Sequence, residues 1–262
     1  INNDGYADIF TTDMLPGDDY RMKTTLSFED INVYRLKQQN GFYHQYFQNT
    51  LQLNNKNGRF ADVANYSGVS ATDWSWGGLM FDADNDGLLD LYVCNGIYHD
   101  LINQDFLDFS ANEIMSKMIS TGKKEDLQVI IDKMPSIHVL NKVYQNQGNL
   151  SFKDIGTTWG FTEPSFSNGA AYADLDNDGD LDLFIGGRCL PGKYPMPVSS
   201  FIYRNDSKNG QIKFTDVTAD VAPALINVGM VCDATWTDFD DDGWTDLIVV
   251  GEWMPITFFK NH

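Results

Sequence analysis

Asp174-Leu175-Asp176-Asn177-Asp178-Gly179-Asp180-Leu181-Asp182 is the stretch that decides the fold of this chain. The same nine-residue pattern returns as Asp82-Ala83-Asp84-Asn85-Asp86-Gly87-Leu88-Leu89-Asp90 and as Asp238-Phe239-Asp240-Asp241-Asp242-Gly243-Trp244-Thr245-Asp246. A truncated copy, Asn2-Asn3-Asp4-Gly5-Tyr6-Ala7-Asp8, stands at the start. Each copy runs into an apolar strand: Ile9-Phe10, Leu91-Tyr92-Val93, Leu183-Phe184-Ile185 and Leu247-Ile248-Val249-Val250. Acidic loops that each feed a strand form a repeat, and a repeat fixes the architecture before any single residue does.

Carboxylates at positions one, three, five and nine of a tight loop repel one another, at roughly 4 kcal/mol for two charges about 4 Å apart in an effective dielectric near 20. Lys and Arg are absent from the three complete loops, so the counter-charge comes from outside them. Hard oxygens at alternate positions suit calcium, which takes about 6–8 of them, and the glycine at position six allows the sharp turn. The expected ligands are Asp82, Asp84, Asp86, Leu88 and Asp90; Asp174, Asp176, Asp178, Asp180 and Asp182; Asp238, Asp240, Asp242, Trp244 and Asp246. Asn2, Asp4, Tyr6 and Asp8 would serve the partial loop. The residue at position seven varies freely, which fits a ligand offered through its backbone carbonyl. An EF-hand is excluded, because that loop needs a Glu at position twelve and flanking helices. Here Gly77 to Phe81 and Leu91 to Val93 read as strands, so the loop closes a hairpin.

A second block accompanies the loops. Thr50 to Asn55, a turn at Asn57-Gly58 and Phe60-Ala61-Asp62-Val63 return as Val143 to Asn146, Gly148 and Phe152-Lys153-Asp154-Ile155. They return again as Phe201 to Asn205, Gly210 and Phe214-Thr215-Asp216-Val217, and Ile256 to Asn261 begins a further copy. Each unit reads strand, Gly/Asn turn, Phe-x-Asp-(Val/Ile), loop, small-residue strand, acidic loop, apolar strand. About four short strands per unit predict an all-β fold of β-propeller blades. The expected units are 50–99, 141–190 and 200–251, with partial units at 1–13 and 252–262. Gly77, Gly169 and Asp233, followed by Gly78, Ala170 and Ala234, suit innermost strands crowded at a central axis.

Two stretches interrupt the repeat. Ser27 reads as a helix cap, with helical spacing from Phe28 to Leu36 and a stop at Gly41. Between the first and second complete loops, Phe106 to Ile119 and Leu127 to Met134 predict a helical hairpin within 100–135, broken at Gly122 and stopped by Pro135. Cys189 to Ser199, with three prolines, reads as a rigid surface loop.

A 262-residue chain with 42% hydrophobic and 13% aromatic residues can fill a sizeable core. Its net charge of −19 opposes nucleic acid and anionic membranes, although three divalent ions would return about six charges. No apolar run is long enough to span a membrane, and no signal peptide is present. The ends suggest a stretch of a longer protein, with any targeting segment outside it. Cys94, Cys189 and Cys232 have no metal-type spacing; buried thiols are expected, with one disulfide as the alternative.

These blocks and loops resemble the FG-GAP/VCBS repeat family, the calcium-loop β-propellers that include the integrin α-subunit head. Trp74-Ser75-Trp76-Gly77-Gly78 running into Asp82, with Val93-Cys94-Asn95-Gly96 after it, further resembles bacterial relatives of cartilage acidic protein, the ASPIC/UnbV type. The resemblance implies a larger propeller of about seven blades, secreted or displayed at a cell surface, in bacteria exported or anchored to the outer membrane.

No nucleophile or phosphate-binding motif is present. His44, His99, His138 and His262 are scattered, and the paired carboxylates lie inside the metal loops. His99-Asp100 and Glu252-Trp253 lie just beyond blade strands, where site residues could stand. Two classes remain: a non-enzymatic scaffold that binds a protein or glycan, and a polysaccharide-degrading enzyme or its non-catalytic module. Trp74 and Trp76 would favour the second if they lined a groove, but a core role is expected for both.

Overall fold

The computed structural model describes residues 1–25, 31–100, 102–124, 126–190 and 193–262. Its strands pair antiparallel into four sheets, as propeller blades do. The first sheet joins β1 (Ile9–Thr11), β3 (Thr50–Asn54) and β4 (Phe60–Asp62). The second runs β2 (Met14–Leu15), β5 (Asp73–Phe81), β6 (Asp90–Asn95), β7 (Lys142–Asn146), β8 (Phe152–Asp154). The third orders β9 (Ser167–Ala173), β10 (Asp182–Gly187), β11 (Phe201–Asn205) and β12 (Phe214–Asp216). The fourth holds β13 (Met230–Thr237), β14 (Asp246–Glu252) and β15 (Thr257–Phe259).

The sequence repeat is out of phase with these sheets. In the stretch 50–99, β3 and β4 complete the first sheet, whereas β5 and β6 open the second. Each repeat unit therefore spans two neighbouring blades and ties them covalently.

Packing follows from the strand sequences. All six residues of β6 and of β10 are buried, because their sheets are covered on both faces. Tyr92, Phe161, Leu183, Tyr203 and Phe214 fill the space between the second and third sheets, with Phe161 5.1 Å from both Tyr203 and Phe214 between ring centroids. Phe184, Leu225, Val231 and Leu247 do the same between the third and fourth. Each such side chain contributes about 1.5–3 kcal/mol on leaving water. The small residues of the inner strands are explained by contact between blades. A Cβ on Gly77 would lie 2.8 Å from the Asn168 carbonyl, and one on Gly169 would lie 2.9 Å from the Cys232 carbonyl. In the second sheet the insertion adds β2 outside β5, so β5 is not its edge strand.

Three expectations change. The stretch after each Phe-x-Asp-(Val/Ile) is one helical turn, not a loop: α3 (Ala64–Ser67), α6 (Gly156–Trp159) and α7 (Thr218–Val221). Asp62, Asp154 and Asp216, one residue ahead of the N-caps Val63, Ile155 and Val217, accept the N–H of the first helical residue, from Ala64 (3.0 Å), Gly156 (3.4 Å) and Thr218 (2.9 Å), as in an Asx turn. Trp76 is not a core residue: it is 46% exposed, its indole N–H donating to the Gly96 carbonyl at 2.6 Å. The thiols are free, and while Cys94 is buried, Cys232 is exposed.

The insertions are helical. α1 (Asp19–Thr25), which the sequence reading passed over, precedes α2 (Ile31–Gln39); Ser27 to Asp30 lie outside the described residues. A π-helical turn, Phe106–Ala111, runs into α4 (Asn112–Thr121), which ends at left-handed Gly122 with φ 66°. α5 (Leu127–Asp132) starts at Asp126, whose side chain accepts the Gln128 N–H.

Candidate metal centres

The three complete loops join β5 to β6, β9 to β10 and β13 to β14, at the same end of three neighbouring blades. Their backbones are alike. Position six is left-handed at Gly87, Gly179 and Gly243, with φ of 86°, 94° and 90°. Position four is left-handed as well, at Asn85, Asn177 and Asp241, residue types that tolerate that conformation. Gly5 and Asn3 repeat the pair in the partial loop.

This winding turns backbone N–H groups onto the carboxylates. Asp82 accepts from Asp86 and Gly87 at 3.1 and 2.9 Å, and Asp238 from Asp242 and Gly243 at 3.1 and 2.8 Å. Position five accepts from position seven: Leu88 to Asp86, Asp180 to Asp178, Trp244 to Asp242 and Tyr6 to Asp4. The loops are thus shaped by their own amides, with the remaining carboxylate oxygens left for a cation.

Position nine has a second task. Asp90, Asp182 and Asp246 are buried. One oxygen of each accepts the position-two N–H, from Ala83, Leu175 or Phe239, at 3.0–3.1 Å. The other accepts the N–H of an asparagine at or just past the end of the next strand, Asn146, Asn205 or Asn261, at 2.8 Å. The asparagine side chain then crosses to the preceding blade, where its Nδ2 donates to the position-two carbonyl of that loop. Asn146 reaches Ile1, Asn205 reaches Ala83 and Asn261 reaches Leu175, at 2.9–3.0 Å. A hydrogen-bonded belt therefore runs from loop to loop. Burial, followed by repulsion from Asp84 and Asp86, pushes the Asp90 carboxyl up to about 7, and burial pushes Asp182 up to about 6. Asp84 and Asp176 rise too, chiefly from burial.

The donor sets fit a hard divalent cation. Asp82, Asp84 and Asp86 bring carboxylate oxygens within 4.8 Å of one another, as do Asp174, Asp176 and Asp182, and Asp238, Asp240 and Asp246. Asp84 Oδ1 and Asp174 Oδ1 are buried with no hydrogen-bond partner, a costly state that a cation would relieve. The counter-charge expected from outside the loops comes partly from the protein. Lys260 Nζ, just past β15 and beside the third loop, binds Asp240 and lies 3.0 Å from Asp242, and Lys56 Nζ lies 3.2 Å from Asp4.

The opposite end of the blades is built differently. The links β1 to β3, β6 to β7 and β10 to β11 leave there and carry the insertions. Arg21 of α1 ties the first two together, donating in a fork to Asp73 of β5 at 2.8 and 2.9 Å and to Asp100 at 2.6 Å. Asp100 is therefore a buried ion-pair partner, and Glu252 pairs with Arg188 at 2.6 Å. The Trp253 indole N–H donates to the Tyr194 hydroxyl. Neither His99-Asp100 nor Glu252-Trp253 presents a free acid–base pair. Large apolar side chains nevertheless stand in solvent on these insertions, among them Tyr43, Tyr46, Phe47, Phe109 and Ile119.

The asparagines of the belt were within reach of sequence reading, since Asn54, Asn146, Asn205 and Asn261 hold one register in every unit. Their partners, 86 to 145 residues away, were not. A family model described as FG-GAP-like repeat matches residues 1–93 and 127–185, more than half of the chain, and its gap takes in the π-helical turn and α4. No curated protein matches it.

Proposed function

The chain belongs to the FG-GAP-like repeat family, and from that premise we propose that it is a calcium-stiffened β-propeller scaffold that binds a protein or glycan. Calcium would be held at position one, three, five and nine carboxylates and at the position-seven carbonyl of each complete loop, with the partial loop supplying Asn2, Asp4, Tyr6 and Asp8. Its chemistry there is charge neutralisation: it holds converging carboxylates in a tight turn and keeps them ionised. Solvent-open loops of this kind suit the millimolar calcium outside cells, about 10⁻⁴–10⁻³ M for extracellular modules, which supports placement in the extracellular space or at a cell surface. Among the described residues no helix is long and apolar enough to cross a membrane.

The observation that carries the binding reading is the division between the two ends. One is regular and hydrogen-bonded to itself; the other displays exposed aromatic rings on non-repeating insertions, where a monomer gains nothing from them. The test is a glycan and secreted-protein array probed with the calcium-loaded chain and with a Tyr43→Ala/Phe109→Ala variant. Ligands bound by the first and lost by the second are expected. Ligands that persist in the variant would move the binding surface elsewhere, and measurable turnover of an anionic polysaccharide would replace the scaffold with an enzyme.

A further inference from the structure

The residue just ahead of each belt asparagine stands beside its blade's aspartate loop, and it differs from blade to blade. In the second sheet it is Gln145, whose amide donates to Asp84 Oδ2 at 2.6 Å. In the third it is Arg204, turned aside so that Nε donates to Asp206 at 2.8 Å. In the fourth it is Lys260, whose ammonium bridges Asp240 and Asp242, positions three and five. The orphaned oxygens follow the same division. Loop 82–90 has Asp84 Oδ1 buried without a partner and loop 174–182 has Asp174 Oδ1. Among the described residues, loop 238–246, under the lysine, has none.

We propose that Lys260 is a tethered cation that competes with the metal for loop 238–246, so that the loops fill in order, 82–90 and 174–182 before 238–246. The inference rests on the calcium reading above and adds to it a residue that decides which loop is weak. A divalent ion at positions three and five needs the oxygens the ammonium holds. It also cannot share the space, since like charges a few ångströms apart repel. Calcium must therefore displace the side chain. The cost is modest because Lys260 is 41% exposed and can swing into water, so the third loop is a weaker site rather than a dead one. An amide at the same place, as in Gln145, shares its carboxylate with an ion without repulsion.

The chain contains its own reporter. Trp244 occupies position seven of loop 238–246, while Trp236 lines a pocket with Asp176 and Asp182 of loop 174–182, so in a Trp236→Phe background terbium emission sensitised by indole reports the third loop. Calcium titration by calorimetry is expected to show two tight sites and a weaker one, and in a parallel terbium titration of the Trp236→Phe chain indole-sensitised emission should rise only in the weak phase. Lys260→Met should move that phase to lower concentration by about five- to tenfold. Gln145→Lys should weaken one of the tight sites and leave the terbium phase in place. Emission that rises with the first equivalents, or that is unmoved by Lys260→Met, overturns the ordering while leaving calcium binding intact. Absence of calcium binding at every loop overturns the calcium reading itself, and the ordering with it.

Discussion

The two ends of the blades obey opposite rules. At the aspartate end every loop repeats the last, down to the paired left-handed residues at positions four and six and the asparagine that fastens each loop to the blade before it. At the insertion end nothing repeats: a helical pair with exposed aromatics, a π-helical turn leading into α4, and a proline-bearing loop. Under the proposed scaffold reading, the difference separates stability from recognition. A turn that concentrates carboxylates needs the same solution each time, and the chain applies one. A surface free of that demand has no reason to repeat, and here the first insertion is fixed to the blades by the Arg21 fork rather than by a periodic motif.

Chelation should expose the contrast most strongly. Ligand that binds the folded chain alone stabilises by about 2.7 kcal/mol per site at a hundred times its Kd. EDTA is therefore expected to lower Tm by well over the effect of any single surface substitution, and Asp178→Ala should reproduce part of the loss. A melting curve unchanged by EDTA would break the comparison, leaving the aspartate end as a solvated rim.

The belt comes next. Asn205→Ala leaves the Ala83 carbonyl without its buried donor and loosens the contact between two blades, an expected loss of about 1–3 kcal/mol by denaturant unfolding. Asn205→Asp should cost at least as much, because an ionised carboxylate would face the Ala83 and Leu181 carbonyls.

A smaller effect has a definite sign in pH. Without a cation, Asp90 and Asp182 hold their protons up to about 7 and about 6, against an unfolded value of 3.8. Over that window the folded chain binds protons that the unfolded chain has released, so stability falls as pH rises. The chelated protein is expected to melt higher near pH 5 than near pH 7.5. With calcium present the trend should flatten or invert, because protons then compete with the ion. A chelated protein that melts higher at pH 7.5 would show that the amide bonds from Asn146 and Asn205 already hold these carboxylates ionised.

What could be read from the sequence follows the same division. The loops and blades were legible because the position-six glycine, the alternate aspartates and the Phe-x-Asp blocks recur, and recurrence outweighs the ambiguity of any single turn. The helical turns after Asp62, Asp154 and Asp216 were missed because four residues are too short to show a helical period. Trp76 was assigned to the core on residue type alone, but its place on an inner strand beside Gly77, where neighbouring backbones close in, leaves its ring no interior to enter. Lys260 was invisible as a counter-charge because it lies 14 residues past the last aspartate of its loop, and only the fold brings it back beside Asp240 and Asp242. At the insertion end, α2, α5 and the helix around Phe106 to Ile119 had a period to detect, whereas the short α1 and the proline-bearing loop had none.

The least visible change in stability should accompany the largest change in recognition. Phe109 is 73% exposed on the π-helical turn, so Phe109→Ala removes little buried surface and is expected to alter unfolding by no more than about 0.5 kcal/mol. If the insertion end is the binding face, the same substitution should weaken an array ligand identified with the calcium-loaded chain by at least tenfold, about 1.4 kcal/mol. A loss of binding with unchanged melting would locate recognition away from the ions. Matching losses in both would mean that Phe109 is a packing residue whose cover the blades require. Unchanged binding would clear this turn and leave Tyr43, Tyr46 and Phe47 on the neighbouring insertion as the rings to test.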